Sequence, residues 1–215
     1  GDTVSIGAGH NLNVTGSSVA GDNRVSLAAG NNLNIGTLTE SNRETHLKQE
    51  KKSGLMSSGG VGFSVGSQSL KVTDTATDTT QKGSTVGSVH GDVSLQAGNR
   101  LTVNSSDLIA GRDMVMKLDG DLFNSGKLAG KQTVQLSAEN IHNQAGTIQG
   151  ANVSLTARTD INSTGGLLQA TDSLLAMAGR DISLTTTTRT AQRDAGQNHF
   201  ERTSIDSVAG VYVQN

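Results

Sequence analysis

Three stretches of this chain are near-copies of one another. Residues 4–14 read VSIGAGHNLNV, residues 25–35 read VSLAAGNNLNI and residues 93–103 read VSLQAGNRLTV. All three fit V-S-[IL]-x-A-G-x-x-L-x-[VI], and the first two begin 21 residues apart. A chain with so short a period builds its core by stacking like on like, because one unit alone cannot bury its apolar face. Within each unit apolar and polar residues alternate, as in Val25-Ser26-Leu27, which is the pattern of a strand with one face inward. Gly and Asn corners interrupt the alternation every few residues. No stretch sustains the i, i+3, i+4 spacing of a helix, which excludes the helical repeats. The L-x-x-L-x-L-x-x-N signature of leucine-rich repeats is missing as well. What remains is an all-β architecture, a parallel β-helix in which each repeat of about 20 residues forms one coil.

A second, related set follows. Residues 120–130 read GDLFNSGKLAG, residues 139–150 ENIHNQAGTIQG and residues 159–170 TDINSTGGLLQA. In these, Asn124, Asn143 and Asn162 recur 19 residues apart. About seven coils are countable, at 1–21, 22–38, 90–111, 112–130, 131–150, 151–170 and 171–188. Coils stacked at about 4.8 Å place equivalent residues in ladders along the axis. Val4, Val25 and Val93 are expected in one inward ladder and Leu12, Leu33 and Leu101 in another. Ala8, Ala28 and Ala97 are assigned to a tight part of the cross-section. Asn124, Asn143 and Asn162 are expected to form an amide ladder at an internal corner, each amide bonding the next; the alternative is that they mark exposed turns.

The composition agrees with a stacked core of small side chains. The chain has one Tyr, three Phe and no Trp, too few rings for the aromatic burial that dominates ordinary cores. It also has no Pro and a net charge of only −2, unlike disordered chains, which are rich in proline and charge. That near-neutral balance gives no electrostatic case for binding nucleic acid. No apolar run reaches the roughly 18 residues of a membrane-spanning helix. The absence of cysteine excludes disulfides and thiolate sites. The chain opens on Gly1 with no leader pattern, as expected of a segment cut from a longer protein.

The period breaks twice within a single β-helix spanning 1–215. Residues 39–89 form one insertion, with a charged start (ESNRETHLKQEKKSG), a glycine-rich middle (GLMSSGGVGFSVGSQS) and an alternating end (LKVTDTATDTTQKG). The flanks are β-compatible and differ in charge bias, which points to an antiparallel ribbon leaving the coil. Leu55, Met56, Phe63 and Val65 in its middle are the apolar side chains available for an outside contact. The second break, TTTTRTAQRDAGQNHFERTSID at 185–206, contains a hairpin at 189–206 turning near Asp194 and Gln197. The plainer reading of both is a structureless loop.

Candidate chemistry is sparse. GFSVG, residues 62–66, matches G-x-S-x-G. A nucleophile elbow needs a helix behind the serine, whereas Ser64 is followed by the strand-like VGSQSLKVTD. Histidines 10, 46, 90, 142 and 199 lack ligand spacing. Asp2, Asp22, Asp92, Asp113, Asp160 and Asp181 recur at coil corners, where carboxylates accept turn N–H groups. The residues thus name no catalytic site, metal site or cofactor. The alternative is a carbohydrate-active β-helix enzyme, such as a polysaccharide lyase or hydrolase, which requires acidic and basic side chains converging on one outer face.

The repeats VSIGAGHNLNV, VSLAAGNNLNI, VSLQAGNRLTV, GDLFNSGKLAG and TDINSTGGLLQA resemble those of filamentous haemagglutinins. These are the large exoproteins of bacterial two-partner secretion, among them the contact-dependent growth inhibition effectors. The resemblance covers nearly the whole chain, and KKSGLMSSGGVGFSVGSQ is similar to the family's second class of repeat. It implies a right-handed β-helical filament shaft, secreted to the surface of a Gram-negative cell. It also implies an outer-membrane transporter as partner during export, contact with a target or host cell, and a C-terminal effector in toxin-bearing members. The second repeat class implies delivery across a target outer membrane, with no single residue carrying that role. No obligate oligomer is expected, although uncapped coil ends favour weak end-to-end association.

Overall fold

Alternating side chains with corner glycines leave the backbone one economical solution, in which short strands bond the coil before and the coil after. The computed structural model describes the backbone of residues 1–57, 63–195 and 198–214, with side chains for 1–41, 79–193 and 199–214. Every regular element among the described residues is a strand. The chain divides into two compact units, Gly1–Leu38 with Lys82–Asn215, and Thr39–Gln81.

The first unit is a parallel β-solenoid with three faces. The first face stacks Thr3–Ala8, Arg24–Ala29, Asp92–Ala97, Asp113–Leu118 and Thr133–Ala138, then the second halves of Thr147–Ala157 and Leu167–Ala178. The second is a seven-stranded sheet of Leu12–Thr15, Asn32–Gly36, Arg100–Val103, Asp121–Asn124, Ile141–Gln144, Asp160–Thr164 and Asp181–Thr185. The third stacks Ser18–Gly21, Thr85–Ser88, Asp107–Ala110 and Lys127–Gly130, the first halves of the same two long strands, and Gly210–Val213. Each face therefore receives one strand from each coil, and backbone groups at the corners bond from coil to coil as well, as in Asn31 N–H to the His10 carbonyl at 2.7 Å.

Register is parallel and rung-like. Val4 stands opposite Val25 and Val25 opposite Val93, with Met114, Val134 and Val153 continuing the column. Leu12, Leu33 and Leu101 form another column, extended by Leu122, Ile141 and Ile161. Side chains in the middle coils are fully enclosed, Leu101 and Met116 among them, whereas Val4 and Leu12 at one end are only partly covered. Most of the interior is aliphatic, which is how a chain with four aromatic residues still has a core.

Three assignments made from the sequence differ in the structure. The amide ladder does not include Asn162: Asn143 stands opposite Ser163, and Asn162 opposite the outward His142. The offset is 19 residues from Asn124 to Asn143 but 20 from Asn143 to Ser163. Ile161 occupies the inward column, and strand alternation then turns Asn162 outward. The alanine column contains Ala29, not Ala28, because Ala8 and Ala97 both stand opposite Ala29. The insertion does not extend to residue 89: Thr85–Ser88 is a strand of the third face, with Val86 fully buried.

In the second unit Leu38–Ser57 pairs with Phe63–Lys82 as a two-stranded sheet. Too few residues separate the two strands for the crossover that a parallel pair needs. The side chains of Leu55, Met56, Phe63 and Val65 lie outside the described residues. Thr187–Ala195 and Asn198–Ser207 pair antiparallel as a second hairpin.

Candidate functional site

Both hairpins leave the solenoid at the same corner, the one between the second and third faces. The first departs after Asn32–Gly36 and returns at Thr85–Ser88; the second departs after Asp181–Thr185 and returns at Gly210–Val213. The preceding coil prepares each departure in the same way. Gly16 and Gly165 both adopt positive φ, at 56° and 61°, a conformation that glycine adopts at little cost. Gly16 N–H bonds the Gly36 carbonyl at 3.1 Å and Gly165 N–H the Thr185 carbonyl at 2.7 Å. A Cβ on Gly16 would collide with Leu38, and one on Gly165 with Ser207. The first residues of each excursion thus rest where a side chain is absent.

Polar groups line the inside of this corner. Ser84 is buried, and its hydroxyl bridges the carbonyls of Val14 at 3.1 Å and Gly36 at 2.7 Å. It ties together the coil before the insertion and the point where the chain leaves. Ser84 N–H in turn donates to the Ser106 hydroxyl at 3.0 Å. In later coils the inward position held by Val14, Ile35 and Val103 becomes Asn124, Asn143 and Ser163. The Asn124 amide donates to Asn143 Oδ1 at 2.8 Å, and the Asn143 amide donates to the Ser163 hydroxyl at 3.3 Å and the Gly146 carbonyl at 3.0 Å. Cβ atoms on Gly146 and Gly166 would overlap the Asn124 and Asn143 amides. No side-chain N or O buried among the described residues lacks a partner, so the ladder does not pay the penalty of an unmade bond.

The outer charges are engaged from coil to coil. Arg112 grips Asp92 through two bonds of 2.9 and 2.6 Å, and Arg24 reaches the same carboxylate at 4.0 Å. Arg180 grips Asp160 with both nitrogens, and Arg158 bonds Glu139 at 2.6 Å. The Arg112 guanidinium holds the Asp92 carboxyl below its ordinary range, and Arg180 does the same to Asp160. Glu139 is lowered by the Thr159 hydroxyl and then by Arg158. Asp92 and Asp160 also accept the backbone N–H of Asp113 and Asp181 in the following coil. A glycosidase needs one carboxyl with a raised pKa to act as acid; these shift the opposite way, and both oxygens of each accept a hydrogen bond.

One outer aromatic residue, Phe123, is similarly engaged. Phe123 lies between two neighbours, with Arg100 5.0 Å from its ring centre and His142 stacked at 4.7 Å. The neighbours stand on successive coils, so the ring faces are not open to a sugar. A depression near the last coils, lined by Lys131, Gln149, Gln169, Thr171 and Tyr212, contains no carboxylate. Among the described residues no three metal-ligating side chains converge. Sequence reasoning missed Ser84, Ser106, Ser163 and the Phe123–His142 stack. Counting inward positions from Leu122, Ile141 and Ile161, instead of from the asparagines, locates Ser163.

A family model described as hemagglutinin repeat matches residues 1–125 and 128–212. A protein of Burkholderia pseudomallei named tRNA nuclease CdiA is 45% identical over 113 residues, 53% of this chain and 9% of its own length. One of Enterobacter cloacae named 16S rRNA endonuclease CdiA is 41% identical over 128 residues, 59% of this chain and 4% of its own. A third, the deoxyribonuclease CdiA of Yersinia pseudotuberculosis, is 45% identical over 106 residues, 49% and 10% of the two lengths. The matched stretches are thus a tenth or less of these relatives. No solved structure matches the chain.

Proposed function

The chain belongs to the hemagglutinin-repeat family, and from that premise we propose that it is a shaft segment of a secreted exoprotein at the surface of a Gram-negative cell, used in adhesion or contact-dependent toxin delivery. The observation that carries this reading is the uninterrupted stacking of inward columns through all coils, with the polar ladder satisfied inside and arginine clamps outside. Such a stack holds distance and resists shear between its ends. It performs no chemistry of its own in this reading, and the differing nuclease names of the relatives belong to those proteins as wholes. An outer-membrane transporter is the partner in export and a target-cell or host surface the partner in contact.

The excursion at 39–81 is the first contact surface to test. Support for this comes from its placement: the chain leaves and returns at one corner, so the insertion adds surface without breaking a coil. Replacing 39–81 by a short Gly-Ser turn is expected to preserve a β-type circular dichroism spectrum and a cooperative melt. Binding of the labelled segment to Gram-negative cells should fall at least fivefold. An unfolded deletion variant overturns the shaft-plus-ribbon reading, and full cell binding by a folded one removes the ribbon as the contact.

A further inference from the structure

The hairpin Thr187–Ala195/Asn198–Ser207 has two unlike faces. Directly opposite residues of an antiparallel pair share a face, and successive pairs alternate. Arg189 opposes Ser204, Ala191 opposes Arg202 and Arg193 opposes Phe200. These alternate with Thr188–Ile205, Thr190–Thr203 and Gln192–Glu201 on the other side, where the two threonine hydroxyls meet at 3.0 Å. One face therefore presents three arginines and a phenylalanine with no carboxylate among the described residues. All four side chains are exposed, Phe200 at 58%. On the solenoid, by contrast, Arg24, Arg112, Arg158 and Arg180 each pair with a carboxylate and Arg100 lies over Phe123. Arg189, Arg193 and Arg202 have no such partner among the described residues.

We propose that this face binds a phosphate-bearing anionic lipid surface. Arg189 and Arg193 are four residues apart, about 13 Å along the strand, and Arg202 lies across from the position between them. Guanidinium groups bind phosphate in a fork and hold their charge at any physiological pH. Phe200 sits beside Arg193, toward the turn, where its ring enters the headgroup boundary while the arginines remain at phosphate level. A soluble polyanionic chain is normally held in a groove that tracks its backbone. The ribbon face is open, and it meets a plane of phosphates with all four side chains at once. The shaft reading does not depend on this assignment, since a shaft with an inert hairpin would fail only the following test.

The probe is sedimentation of the full chain with vesicles of phosphatidylglycerol and phosphatidylcholine, against vesicles of phosphatidylcholine alone. Preferential binding to the anionic vesicles is expected, lost on the order of a hundredfold in the combined R189Q, R193Q and R202Q variant. F200A is expected to weaken vesicle binding several-fold while leaving binding to soluble dextran sulfate unchanged. Both variants should melt like the parent, since the altered side chains are exposed. No preference for anionic vesicles, or unchanged binding in the triple variant, overturns the proposal. If F200A leaves vesicle binding intact, the lipid assignment fails and a soluble polyanion takes its place.

Discussion

At the residue scale, the ladder at the excursion corner shows how little separates an inward from an outward side chain. Asn143 has both neighbours of the ladder as partners and is buried at 1% exposure. Asn162, spaced identically in the sequence, points outward one rung later because its coil carries one more residue. The two positions therefore predict different outcomes. Asn143→Ala leaves the Asn124 amide with only one of its two acceptors, the Gly126 carbonyl, and is expected to cost about 2 kcal/mol, read as a lower denaturant midpoint. Asn162→Ala should change the midpoint by less than about 0.5 kcal/mol. Equal effects would return Asn162 to the ladder. The asparagine spacing alone is blind to this difference, because inward and outward follow from the aliphatic residues two positions away.

Hairpins and corners are where the elements of this protein acquire their distinct roles. The alternating flanks of both insertions were legible as strands, and their pairing with each other follows from the short link between them. Their common corner was not legible, since it depends on which strand of a coil precedes each break. The arginine clamps act at the opposite ends of the strands and carry a pH dependence. Asp92, Glu139 and Asp160 have lower pKa values folded than unfolded, so each contributes stability above the ordinary carboxylate range near 4. That contribution is lost as the pH falls through the lowered folded values. Thermal midpoints should therefore be flat from about pH 8 to 5 and fall below about pH 4. Arg180→Gln should make the acid fall shallower while lowering the midpoint at neutral pH, checked by melts across that range. An unchanged acid limb in Arg180→Gln would mean that the Asp160 clamp contributes nothing when folded.

For the solenoid, stability is a sum over neighbouring coils, and a coil paired on one side only has fewer such terms. Among the described residues Thr3–Ala8 pairs only with the following coil, and Asp181–Thr185 only with the preceding one. Ile182 and Leu184 at that end are 48% exposed although they occupy inward columns. Amide hydrogen exchange is thus expected to be slowest in Asp113–Leu118 and Thr133–Ala138 and at least tenfold faster in Asp181–Thr185. Uniform protection along the stack would show a single cooperative unit instead. Period and strand class were settled by the sequence alone, because they rest on local alternation and on spacings countable along the chain, whereas the far boundary of the first interruption was not, since Thr85–Ser88 pairs within the third face. Which residue occupies which rung was decided only in three dimensions. Coils offset by 19, 20 and 21 residues bring each side chain its partner from the next turn, and one residue gained or lost at a corner turns the next strand over. The same dependence hid the shared departure corner, the carboxylates that meet Arg24, Arg112, Arg158 and Arg180, and the hairpin face on which three arginines meet none among the described residues.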